Sequence, residues 1–173
     1  SSYGGADVNN YTITDQASTT ADVTTKALTA TASAANKVYD GTTTATTTLT
    51  FTGLVGSETL NQSVGSTFNN KNVGTGKTVT VNSITLTDGT GLAANYSISP
   101  GQTSTANITP KALTVSGITA SNKTYDANAV ASLNTGGVTY TGLIGGDVFN
   151  GTYTGAFSDK NVGTGKTVTI TPS

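Results

Sequence analysis

Along this chain apolar side chains alternate with polar ones at a spacing of two, the spacing of a strand that turns one face to a core and the other to water. Tyr11 with Ile13, Leu49 with Phe51, Val79 with Val81 and Ile84 with Leu86 are such pairs. The phase of alternation changes at Asn82-Ser83, between the last two pairs, which predicts a β-bulge. Gly4-Gly5, Asp40-Gly41 and residues 69–76 and 88–91 supply turn and loop chemistry between the runs. Strands are therefore expected at 10–13, 42–52, 78–87, 95–98 and 105–115, with a weaker alternation over 23–31. The threonines of 42–52 suit a pleated surface because their branched side chains are stiff at χ1. Residues 54–60 are expected to form a single helical turn; their counterpart at 143–149 carries Gly145-Gly146, which rules out a long helix. No segment shows a helical stripe of useful length.

The pattern occurs twice. KNVGTGKTVT fills residues 71–80 and again 160–169. KVYD at 37–40 returns as KTYD at 123–126, FTGLVGSETL at 51–60 as YTGLIGGDVF at 140–149, KALT at 26–29 as KALT at 111–114, and NYTI at 10–13 as NYSI at 95–98. Lys37 lies 86 residues before Lys123, whereas Phe51 lies 89 before Tyr140, so about three residues are inserted between Asp126 and Tyr140. A period this long describes a string of small domains and not a solenoid of short repeats. Two frames fit. One divides the chain into 1–85 and 86–173. The preferred one treats 1–25 as the end strands of a preceding module, 26–110 as one module and 111–173 as a second with its last strands missing. Pro110, which has no N–H and favours an extended neighbour, marks the junction.

Composition narrows the chemistry. The 173 residues contain no Cys, His, Trp or Met, and all eight basic residues are Lys, each belonging to a repeat-matched pair. A net charge of −1 without a lysine cluster argues against nucleic acid. No apolar run approaches the roughly 20 residues of a membrane-spanning helix, so no membrane insertion is expected. No signal peptide leads the chain, which fits a fragment of a longer exported protein.

Candidate sites are few. GTGKT at 74–78 resembles part of a phosphate loop, but Lys71 stands where that motif needs Gly, and the following residues read as a strand instead of a helix. Asp40 with Glu58, mirrored by Asp126 with Asp147, could formally do acid–base work on a sugar, yet modules this small seldom form the deep cleft such a pair needs. Asp88 lacks the series of carboxylates that holds Ca²⁺. Lys37 or Lys71 with Asn72 and Glu58 has the residue types of a Lys–Asn isopeptide link, which would require a buried, neutral lysine. No catalytic residue, metal or cofactor is expected, and the chain is read as no enzyme.

KVYDG at 37–41, GLVGSETL at 53–60, KNVGTGKTV at 71–79 and NYSI at 95–98, in that order, resemble the YDG repeat of large bacterial adhesins and the related MBG repeats. The resemblance covers essentially the whole chain. It implies a mainly β fold of two tandem small modules in an elongated array, β-grasp-like with one short helical turn each, or alternatively an immunoglobulin-like β-sandwich. It implies a secreted protein of the filamentous-haemagglutinin or two-partner-secretion type on the bacterial outer surface, acting as a stalk in adhesion or biofilm formation. The expected partners are neighbouring repeats. In an alternative reading the modules bind exopolysaccharide or other glycans, or associate with themselves. The motif residues are Lys37, Tyr39, Asp40, Gly41, Lys71, Gly74 and Gly76, then Tyr125, Asp126, Lys160, Gly163 and Gly165; Tyr39 and Tyr125 are the candidate glycan contacts. A small core is expected from Leu49, Phe51, Leu54, Val79, Val81, Tyr96 and Ile98. The second copy has Ala127 in place of the glycine, so its turn is expected to be of a type that tolerates a Cβ.

Overall fold

A computed structural model describes residues 2–173. The first copy of the repeat holds β1 (Lys26–Ala27), β2 (Thr29–Ala34), β3 (Lys37–Val38), β4 (Thr44–Ala45), β5 (Thr47–Thr52), β6 (Leu60–Phe68), β7 (Gly74–Asp88), β8 (Tyr96–Ser97) and β9 (Thr103–Thr109). Five of them form one sheet in the order β3-β9-β7-β6-β4. Its pairs are antiparallel except β3 with β9, where Lys37 faces Ile108. β2 and β5 form a separate antiparallel hairpin. Its β2 arm lies against β9, and the Ala34 amide donates to Ser104 Oγ at 3.3 Å. The bulge expected at Asn82 is present. Gly65 faces Ser83 and Ser66 faces Val81, so Asn82 is the extra residue and the alternation of β7 changes phase there.

Between hairpin and sheet sits a compact core of Ala45, Phe68, Val79, Ala106 and Ile108, with Ala34 and Tyr39 packed against it. Leu28, Leu49, Val81 and Tyr96 are buried beside it. Leu49, Val79, Val81 and Tyr96 thus bury as the alternation predicts, while Phe51, Leu54 and Ile98 are only half-buried. Residues 54–60 do not form the expected helical turn. Ahead of β6 they make a single turn closed by one hydrogen bond from Glu58 N to Val55 O. The short helical turns are 3-10 turns at Val8–Asn10 and Ala93–Asn95, just ahead of the two NY motifs. Of residues 10–13, expected as a strand, Asn10 ends the first of these turns and 11–13 are exposed and belong to no strand.

The second copy holds β10 (Thr114–Ser116), β11 (Thr119–Ala120), β12 (Val130–Ala131), β13 (Leu133–Asn134), β14 (Thr139–Thr141), β15 (Tyr153–Phe157) and β16 (Val168–Pro172). Here the long β2-β5 hairpin is split in two, β10 with β14 and β11 with β13. The cause is the inserted segment around residues 135–137. Its Gly137 carbonyl presses so close to Gly117 that a Cβ there would lie 2.0 Å from it, and Gly117 takes φ +83 to let the chain pass. The main sheet of the second copy, as far as the described residues go, is β12-β15-β16.

Burial records the difference. Val81 is 1% exposed, whereas Ile170, its counterpart, is 37% exposed. Phe68 and Val79 are buried, but Phe157 and Val168 are only half covered. The accessible surface totals 11838 Å², against about 7,800 Å² for a compact chain of this mass. Much of the excess lies in residues 11–27, every one exposed, and in the open second copy.

Removing core volume should therefore be costly in one copy only. Ile108→Ala is expected to destabilise the first copy by about 3 kcal/mol and Ile170→Ala the second by less than about 1 kcal/mol, as read by denaturant unfolding followed separately at each copy by NMR.

Candidate functional site

The repeat motif KxYD builds a clasp. β3 ends at Val38, and the chain reverses through Asp40 and Gly41, the latter at φ +78. Lys37 reaches across this loop. Its ammonium donates to Asp40 Oδ1 at 2.7 Å, to the Thr42 carbonyl at 2.8 Å and to the Thr44 carbonyl at 2.9 Å, and lies 5.5 Å from the centroid of the Phe68 ring. Asp40 Oδ1 also accepts from the Thr42 amide at 2.9 Å. Lysine and amide together lower the Asp40 pKa from 3.8 to about 2, the Lys37 hydrogen bond being the larger cause. With its donors engaged in this way, Lys37 does not have the setting of an isopeptide nucleophile.

The second copy repeats the clasp. Lys123 donates to Asp126 Oδ1 at 2.7 Å and to the Asn128 carbonyl at 2.8 Å, 5.7 Å from the Phe157 ring centroid. Its turn does not change type to suit Ala127, as the replacement of glycine led us to expect. Ala127 adopts φ +63 and is the sole non-glycine at positive φ among the described residues. The lysine clasp on both sides of the turn holds the alanine in a conformation that L-residues avoid.

Above the first clasp lies the contact between the two copies. Tyr39, half-buried against the core, donates its hydroxyl to Asp147 Oδ2 at 2.8 Å. Lys71, from the first KNVGTGKTVT, lies 3.5 Å from Asp147 Oδ1. Its pKa is raised, first by the Tyr39 hydroxyl it faces and then by the Asp147 carboxylate. Ile144 sits directly on Gly41, where an added Cβ would fall 2.8 Å from Ile144 Cγ2. Gly41 thus serves two needs, a left-handed turn and room for the next module. Asp147 and Ile144 belong to GLIGGD at 142–147, a turn closed by Asp147 N to Ile144 O at 3.0 Å. Among the described residues no strand pairs across the copies. The joint is a latch of side chains on a shared linker, the kind of small polar interface that allows the modules to move relative to one another.

The matching acidic residue of the first copy works differently. Glu58 accepts a hydrogen bond from Tyr96 OH within its own module, and Tyr96 OH accepts from the Val55 amide at 3.1 Å. Asp40 and Glu58 therefore serve separate structures and form no acid–base pair, and Asp126 and Asp147 likewise. Asp88 Oδ1 caps the turn before NYSI, accepting from Ala93 N at 2.7 Å. Gly74 and Gly76 open β7 beside β9, with Gly76 at φ +59 and its amide donating to Asn107 Oδ1 at 2.8 Å. The GTGKT stretch thus enters a strand and has no helix terminus at which to hold phosphate.

In the second copy Tyr125, Lys160, Gly163 and Gly165 line a cavity of about 580 Å³, floored by Phe157. Tyr125 is 56% exposed, in contrast to Tyr39. Lys166 pairs with Asp159, whose pKa is lowered chiefly by that contact. The sequence pattern gives no role at the joint to Asp147 or Ile144. Their one signal is that the GLxGx(D/E) loop recurs with an acidic residue at the same place.

These features define a class: cysteine-free β modules in tandem, joined by side chains of their own repeat motifs. The chain belongs to the YDG domain family, whose model matches residues 24–106 and again 109–173. No curated protein and no solved structure matches it.

Because the folded pKa of Asp40 lies below its ordinary value, protonation favours the unfolded chain. The clasp's contribution is complete above the ordinary value and is lost as the pH falls from near 3.8 through about 2. Unfolding midpoints of the first copy should drop across that window, and Asp40→Asn should remove part of the drop. Ala127→Gly is expected to stabilise the second copy by about 0.5–1 kcal/mol, relief of the positive φ outweighing the added freedom of the unfolded chain, measured by the same unfolding assay.

Proposed function

We propose that this chain is a stalk segment of a secreted bacterial surface adhesin, its modules setting the distance and orientation of a binding region elsewhere in the protein. The observation that supports this reading most is the Tyr39–Lys71–Asp147 latch. Each of its members belongs to a repeated motif, so successive modules can be strung together by the same residues that build them. A hydrogen bond to a charged group contributes about 1.5–3 kcal/mol when well buried, and an exposed ion pair about 0–1 kcal/mol. The half-exposed latch falls toward the low end of their sum, enough to register two modules and weak enough to yield before either unfolds. The alternative, in which the modules grip exopolysaccharide through Tyr39 and Tyr125, has one anchor already engaged by Asp147. The chain's chemistry supports a structural role over an enzymatic one, since in the first copy Lys37 and Asp40 are engaged in the clasp, Lys71 in the latch and Glu58 with Tyr96.

Donor and acceptor dyes placed on the two copies should report a single narrow distance distribution in the full chain. Asp147→Ala and Tyr39→Phe are expected to broaden it without altering the unfolding of either copy. An unchanged distribution in both variants would remove the latch from the account, and saturable binding of the intact chain to a panel of biofilm polysaccharides would favour the adhesive reading.

A further inference from the structure

The first and last segments of the first copy lie side by side and run the same way. Lys26 pairs with Tyr96 and Ala27 with Ser97 in parallel, and the Leu28 amide donates to the Ser97 carbonyl at 2.8 Å. Farther along, Lys37 pairs with Ile108 and Val38 with Thr109, again in parallel. Between these two stretches of ladder β2 pairs with β5 instead, and a side chain bridges the gap, the Ala34 amide donating to Ser104 Oγ at 3.3 Å. Asn36 Oδ1 accepts from the Asn107 amide at 2.7 Å, the Tyr39 amide donates to the Thr109 carbonyl at 2.9 Å, and Thr109 Oγ1 donates to the Lys37 carbonyl at 3.3 Å. Each of these contacts joins residues 69 to 72 positions apart. Residues 26–39 and 96–109 therefore form one parallel seam whose register holds from end to end.

Apolar side chains seal the seam. Leu28, Tyr96, Ala106 and Ile108 are buried along it. A slip of one residue would turn Ala106 and Ile108 to the opposite face of the sheet, so the seam has no short step to a new register. In a parallel pair the start of one strand and the finish of the other stand at opposite ends. The chain enters this copy at the Lys26 end of the seam and leaves it past Thr109 at the other, so tension along the chain acts parallel to the strands. Such tension loads the bonds of the seam together, and a slide of about 2 Å takes them all out of hydrogen-bonding range at once. Drawing the two segments apart from one end loads the same bonds one after another.

We infer that this seam is a mechanical clamp, which holds the first copy folded against tension along the chain and gives way far more easily when its two segments are drawn apart from one end. Forced unfolding follows the rate of unfolding and not the equilibrium stability, so the direction of pull sets the force even though the same bonds break. The inference rests on the register of the strands and stands whether or not the stalk role is correct.

Single-molecule pulling on the full chain tests it, with cysteine handles placed on a protein that has no cysteine of its own. Thr25→Cys with Lys111→Cys applies tension along the seam, and Thr25→Cys with Ala94→Cys opens it from the Lys26 end; all three positions are exposed. The first pair should rupture in one step at several times the force that the second requires. Asn36→Ala, at an exposed position whose side chain bridges to β9, should lower the force in the first geometry and leave the second unchanged. Denaturant unfolding of each variant confirms that it is folded before it is pulled. Equal forces in the two geometries, or stepwise peeling under tension along the chain, would overturn the clamp. Saturable binding to a polysaccharide, which counts against the stalk reading, would leave the difference in force as it is.

Discussion

The arrangement of the first copy depends on one strand pairing, the insertion of β9 between β3 and β7. It joins residues near the start of the module to residues near its end, with Lys37 facing Ile108 across more than seventy positions. By doing so it converts a curled hairpin into a five-stranded sheet and closes the core over Phe68 and Val79. Each side of that strand answers a different need. Ala106 and Ile108 exclude water from the apolar side, while the Asn107 side chain accepts from the Gly76 amide and its own amide donates to Asn36 Oδ1. In the second copy, which also carries the insertion at 135–137, Phe157, Val168 and Ile170 stay partly in water. Hydrophobic stabilisation follows the apolar area removed from water, so the first copy holds the larger share of it.

Around this frame the charged residues perform local work. A lysine at the first position of KxYD ties its own turn in both copies, through an aspartate and two backbone carbonyls in the first and through an aspartate, one backbone carbonyl and the Asn128 side chain in the second. The clasp is strong enough to keep Ala127 at a positive φ where the first copy has glycine. That substitution also changes what the turn can receive. Gly41 leaves space for Ile144, and the methyl of Ala127 narrows the matching place on the second copy. The two faces of the repeat are therefore related in sequence but not identical as docking surfaces.

The latch shows how a repeat obtains a joint without added parts. Tyr39 is both a core residue and the donor to the next module, so the end of one hydrophobic core is also the start of the interface. Glu58 and Asp147 occupy equivalent positions in equivalent loops and are satisfied differently, one by Tyr96 of its own module and the other by Tyr39 of its neighbour. A tyrosine hydroxyl meets the carboxylate in each case, since a partly buried carboxylate requires a donor.

Much could be read without coordinates. Period-two alternation identified the β class, the bulge at Asn82 and the burial of Leu49, Val79, Val81 and Tyr96, because side-chain direction in a strand is set by neighbours along the chain. The duplication identified two modules, and Asp40-Gly41 and Gly76 marked turns whose φ values depend only on local sterics. Other features required tertiary structure. The turn at 54–60, closed by one i to i+3 hydrogen bond, begins as a helical one would, and residues 11–13 alternate like a strand but pair with none of the described residues. Asp147 and Ile144 take their roles from Tyr39 and Gly41 more than a hundred residues away, and no local pattern encodes such a meeting. The sequence by itself determined the strands, the turns and the repeat, which are properties of neighbouring residues. Only the tertiary structure decided which strands meet, which core closes and which loop reaches the next module, since those depend on surfaces brought together from distant parts of the chain.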